Sequence, residues 1–87
     1  MTIFKITLED GRAVDIVCES KSTRNGFKHE ATLLIAGYQQ TKVKCMYYNR
    51  TWESFTYQTV AHKAIEALKS KELVTEIKQK FKEKYNR

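Results

Sequence analysis

The chain has 87 residues, a formal net charge of +6, 41% hydrophobic and 30% charged residues, no proline and three glycines. That is enough for one small core and too little for two, and the apolar content argues against wholesale disorder. No apolar run approaches the roughly 20 residues of a membrane helix, and the N-terminus lacks the basic-then-apolar layout of a signal peptide, so a cytoplasmic protein is expected.

In residues 2–8, Phe4, Ile6 and Leu8 alternate with Ile3, Lys5 and Thr7. A period of two marks a half-buried strand. Glu9-Asp10-Gly11-Arg12 follows, and Asp-Gly predicts a tight hairpin whose two central residues both take positive φ. Residues 13–19 alternate again, with Val14, Ile16 and Cys18 opposed to Asp15, Val17 and Glu19. Asn25-Gly26 predicts a second two-residue turn, which makes the flanking strands a projecting finger tipped by Lys21, Arg24 and Lys28. Ala31–Tyr38 is apolar on both faces and reads as a well-covered central strand. From Thr41 to Tyr48, Val43, Cys45 and Tyr47 oppose Lys42, Lys44, Met46 and Tyr48.

The period then changes. Tyr57, Val60, Ala61, Ala64, Ile65 and Leu68 form the apolar stripe of an amphipathic helix, with Ser54 placed to cap its start. Leu73, Val74, Ile77, Phe81 and Tyr85 continue a helical pattern beyond Ser70, which either breaks the helix or is crossed by it. The expected fold is α+β: one domain over residues 1–87, with a four-stranded antiparallel meander in 2–48. One kinked helix or two helices in 54–86 pack on one face of that sheet.

Enzyme constellations are missing. His29 and His62 are far apart and read as surface or half-buried polar residues, while the acidic residues Glu9, Asp10, Asp15 and Glu19 belong to a turn and an outward strand face. Cys18 and Cys45 have no CxxC or Cys/His ligand spacing and are expected as buried thiols. No catalytic residue, metal or cofactor is expected.

Charge placement points to binding instead. Residues 21–50 carry Lys21, Arg24, Lys28, Lys42, Lys44 and Arg50 against Glu30 alone. Lys42, Lys44 and Tyr48 share one strand face and Arg50 follows, which combines cations for phosphates with a ring for base stacking. Lys78, Lys80, Lys82 and Lys84 on the last helix form a secondary basic surface or a solvated face. Nucleic acid, or a nucleoprotein, is the first expected partner. The alternative is a protein–protein inhibitor or adaptor acting on a host enzyme or defence system, and an uncovered sheet edge or the final helix leaves room for a homodimer.

Residues 47–57 hold the single Trp, three of the five Tyr and one of the four Phe. Trp52, Phe55 and Tyr57 are expected to plug the corner between sheet and helix, leaving Tyr48 and Arg50 outward. The run Tyr48-Asn49-Arg50-Thr51-Trp52-Glu53-Ser54-Phe55-Thr56-Tyr57-Gln58 resembles a segment of small uncharacterised proteins from bacteriophages and other mobile elements, mostly of low-GC Gram-positive bacteria. The resemblance implies a phage or plasmid setting and carries over no functional residue.

Overall fold

The computed structural model describes residues 2–24, 26–48 and 57–85, with the backbone alone for Thr23, Phe27 and 45–48. Four strands, β1 (Thr2–Thr7), β2 (Ala13–Thr23), β3 (Gly26–Ile35) and β4 (Tyr38–Tyr48), form one antiparallel sheet in the order β1-β2-β3-β4. Helices α1 (Tyr57–Glu66) and α2 (Lys71–Tyr85) follow. The α+β meander read from the periodicity is therefore the fold. None of the described helices is long and apolar enough to cross a membrane.

The core is the inner face of the sheet. Phe4, Ile6, Val14, Ile16, Cys18, Ala31, Leu33 and Ile35 are buried there beneath Val60, Ala61, Ala64 and Ile65 of α1 and Ile77 and Phe81 of α2. Ala61 and Ala64 are fully buried, and with so little side chain they let α1 lie close over the central strands. The closeness shows in the bond from the Thr41 hydroxyl to the Ala64 carbonyl, 2.8 Å. Burying a single large apolar side chain contributes about 1.5–3 kcal/mol, so this layer supplies most of the favourable free energy of folding.

Ring packing closes the end over β1. Phe4 meets Phe81 edge-on at 5.0 Å and Tyr85 at 4.9 Å, and His62 of α1 meets Phe81 at 4.9 Å. Tyr57, as expected, is half-buried against the core. The roles expected of Trp52, Phe55 and the Ser54 cap lie outside the described residues.

Ser70 breaks the helix. Its hydroxyl accepts a long 3.4 Å bond from the Leu73 N–H, and its carbonyl accepts the first helical bond from Val74 at 3.0 Å. It is the N-cap of α2, the position at which a serine side chain replaces a missing helical acceptor.

The turns differ from the sequence reading in ways that follow from backbone conformation. In the first, the Gly11 N–H bonds the Leu8 carbonyl at 2.9 Å, and the Leu8 N–H bonds the Arg12 carbonyl at 2.9 Å. Only Gly11 there has positive φ, at 91°. The loop is thus three residues, a turn followed by a left-handed glycine, in place of a two-residue Asp-Gly turn. Asp10 closes it by accepting from the Arg12 backbone N–H and Nε at 3.0 and 2.7 Å. In the second, Thr23 pairs with Gly26, so Gly26 already belongs to the paired strand and the finger's turn sits one residue earlier than expected. In the third, β3 stops at Ile35 and β4 begins at Tyr38, so the strand read as Ala31–Tyr38 is divided by a two-residue turn. Ala36 (φ 52°) and Gly37 (φ 84°) occupy it, both left-handed, the type I′ arrangement that matches strand twist.

Ala36 has no side-chain reason to be left-handed, and that conformation costs an L-residue roughly 1–2 kcal/mol. Ala36→Asn or Ala36→Gly is expected to raise unfolding stability by about 0.5–1 kcal/mol, after the extra unfolded-state freedom of glycine is allowed for. Gly37→Ala, at a site where a Cβ meets nothing within 4 Å, is expected to lower it by about 1 kcal/mol through φ alone. Urea denaturation of the three variants checks both directions.

Candidate nucleic-acid interface

The helices lie on one face of the sheet, and among the described residues nothing lies over the other. On that face the outward residues of β3, a central strand, are half-buried: Glu30, Thr32 and Leu34 are sheltered by neighbouring strands. Together with Val17, Glu19 and Lys42 they line a shallow concavity of about 220 Å³.

Register turns the outer face into a lattice of side-chain rows. Nearest the first turn, Lys5, Asp15, Leu34 and Gln39 align, and the next row is Ile3, Val17, Thr32 and Lys42. Then come Glu19, Glu30 and Lys44, and finally Lys21 and Lys28 opposite Met46. Arg24 follows in the turn. The sheet thus brings Lys21, Lys28, Lys42 and Lys44 to one side, with Arg24 at its end. Tyr48 ends β4 opposite Gly26, with only its backbone described, and Arg50 lies outside the described residues.

The face is less uniformly basic than the linear charge count implies. Glu30 sits among the lysines, with Lys28 Nζ at 3.2 Å and Lys44 Nζ at 3.8 Å. The hydrogen bond from Lys28 holds the Glu30 carboxyl below its ordinary range, with the charges of Lys28, Lys42 and Lys44 adding to the effect. Lys21, Arg24 and Lys42 have no carboxylate within ion-pair distance among the described residues. Two directly opposed pairs carry like charges, Glu19 with Glu30 and Lys21 with Lys28, an arrangement that is unfavourable unless diagonal neighbours or a ligand compensate.

The secondary basic surface on α2 is largely engaged within the fold. Lys78 pairs with Glu66 at 3.0 Å and Lys80 with Glu9 at 2.9 Å, and that pairing raises the Lys80 pKa. Lys84 Nζ donates to the Lys5 carbonyl at 2.8 Å. Lys82 is exposed on the solvent side of the helix near Glu83 and Gln79.

Lys84 has a partner in its task. The Lys5 N–H donates to the Tyr85 hydroxyl at 2.9 Å, and that hydroxyl donates back to the Lys5 carbonyl at 3.2 Å. The outer edge of β1 is therefore occupied at its midpoint by the last turn of α2, a means of preventing unwanted strand pairing.

His29 departs from the surface or half-buried position expected of it. It is buried on the inner face, 4% exposed, with Nδ1 2.6 Å from the Ser20 hydroxyl on the paired residue of β2. Cys18 is buried as expected, and burial pushes its thiol up to about 11, so it packs as a neutral group. Cys45 lies opposite His29 in register, with only its backbone described. Among the described residues no group of three or more His, Cys, Asp and Glu is placed to hold a metal ion.

No protein-family model matches the chain, and no curated protein or solved structure matches it either.

Burial lowers the His29 pKa from 6.5, so between the lowered value and 6.5 the unfolded chain binds more protons than the folded one. Stability then rises with pH across that window and is lost as pH falls through it. The lowered carboxyls of Asp10, Glu30 and Glu66 act in the same direction, but only in more acid solution. Wild type is expected to lose urea resistance on going from about pH 7 to pH 5, and His29→Gln to lose much less. Equal pH sensitivity of the two proteins would show that His29 is not the group responsible.

Proposed function

We propose that this chain is a small, non-enzymatic binding domain that engages nucleic acid, alone or in a nucleoprotein, through the uncovered face of its sheet. The observation that carries the reading is the one-sided cover: burial of the inner face leaves the outer face to hold Lys21, Lys28, Lys42 and Lys44 together, with Arg24 in the turn at its end. A phosphate backbone is a chain of anions whose condensed counterions are released when lysines replace them, and that release favours binding most at low salt. Tyr48 and Arg50, next along the chain, are proposed to extend this surface. The basic residues of α2 are not, because Lys78, Lys80 and Lys84 already bind partners within the domain. The resemblance of residues 48–58 to phage and mobile-element proteins supports a setting in which such small nucleic-acid accessories are common.

The reading predicts anisotropy-detected binding to short labelled DNA or RNA that weakens about tenfold to thirtyfold between roughly 50 and 200 mM salt, as two or three phosphate contacts require. Replacing Lys21, Lys28, Lys42 and Lys44 together by Glu is expected to abolish it. A wild-type protein that shows no binding at low salt rules the function out.

One observation favours a second reading, in which the same face docks on a protein as inhibitor or adaptor. Val17, Thr32 and Leu34 give the concavity an apolar floor, and Ile3 beside it is 42% exposed. A complex of that kind survives nuclease treatment during affinity purification, whereas a nucleic-acid-bridged one does not. Should the chain self-associate by edge pairing, β4 is the edge through which it would do so, since Tyr85 and Lys84 occupy that of β1.

A further inference from the structure

The lattice of charges on the outer face is divided. The row containing Lys42 and the row containing Lys21 and Lys28 are four residues apart along β2, from Val17 to Lys21. At about 3.3 Å per residue that is roughly 13 Å. The distance exceeds the Debye length of about 8 Å at physiological salt, so cations at its two ends act on an anion almost independently. Between them stands the carboxylate row of Glu19 and Glu30. Lys44, in that same row, is drawn to Glu30, and the charge of Lys42 acts on Glu30 as well.

Beyond the carboxylate row the balance reverses. Lys21 and Lys28 are opposed across neighbouring strands, roughly 5 Å apart at the backbone and well inside the Debye length. Arg24 joins them at the turn, and among the described residues only Lys28 has a carboxylate, the Glu30 it shares with Lys44. A like-charged pair held in register by the hairpin is relieved when one anion sits between both ammonium groups. A phosphate carries that charge and has oxygens to accept from both.

Resting on the nucleic-acid reading, we infer that the phosphodiester backbone crosses the β2–β3 hairpin end at Lys21, Arg24 and Lys28. The Glu19–Glu30 row keeps it off the rest of the sheet. The strand rows then play different roles. Lys21 and Arg24 contact phosphate, Lys28 is shared between phosphate and Glu30, and Lys42 and Lys44 hold the carboxylate row in place. Contacts of this kind are to backbone anions alone, so DNA and RNA of the same sequence bind alike.

Anisotropy titrations of the full chain with labelled single-stranded DNA and the matching RNA test this. Lys21→Gln/Arg24→Gln is expected to weaken binding about tenfold at roughly 50 mM salt and to make the log–log salt slope shallower by about two, whereas Lys42→Gln changes affinity less than about twofold. Glu30→Gln, which frees Lys28, is expected to tighten binding severalfold, a gain that a merely misfolded variant does not give. Losses that follow Lys42→Gln and spare the Lys21/Arg24 pair overturn the crossing at the hairpin end while leaving nucleic-acid binding standing. A preference for DNA or RNA beyond about tenfold overturns the backbone-only contact. Absence of salt-sensitive binding in the wild type removes the nucleic-acid reading itself, and the crossing with it.

Discussion

The arrangement depends on burial of one sheet face under two short helices. Phe81 is the clearest instance: fully buried, it touches Phe4 of the first strand, His62 of α1 and Tyr85 of its own helix, and so joins three elements at one ring. A chain of 87 residues has room for one small core, and this face supplies it. The inner face therefore leaves little freedom for anything but packing, and burial there lowers the pKa even of its histidine. Functional variety is pushed to the other face, where a side chain changes the surface without opening a cavity.

On that open face, register rather than composition governs electrostatics. Glu30 is a single acidic residue among six basic ones in the segment 21–50, yet pairing puts it beside Lys28 and Lys44 and opposite Glu19. A linear count treats its charge as one subtraction. In the sheet it marks a boundary between two groups of cations and ties lysines from two strands to one carboxylate. Pairs still reached by solvent contribute little to stability, so their main effect is on where potential is concentrated.

Much of the fold was legible because the alternation of apolar residues in 2–8, 13–19 and 41–48 and the helical stripe beyond Tyr57 record which side faces the core. The turns were less so. Ala36-Gly37 has only one of the residue types that announce a left-handed pair, and an apolar run hides it. The Asn25-Gly26 signal was read one residue late because Gly26 serves as the first paired residue of β3. Ser70 was visible as a candidate break, but a cap is defined by where its hydroxyl points. The cover read for β3 comes, at its outer residues Thr32 and Leu34, from adjacent strands, an effect of register with no trace in a single strand's sequence. For the site, the cations were legible and their partners were not: Glu30's role follows from strand order, and the occupation of Lys80 and Lys84 from contacts about 70–80 residues away.

That last span concerns how the chain is made. Tyr85 reaches across 80 positions to occupy the backbone of Lys5. During synthesis β1 emerges before α2, and its edge stays open until the final turn of α2 has formed and docked. Until then that edge is open to strand pairing with neighbouring nascent chains. The edge charge of Lys5 and the shortness of β1, six residues, are what restrain such pairing before Tyr85 arrives.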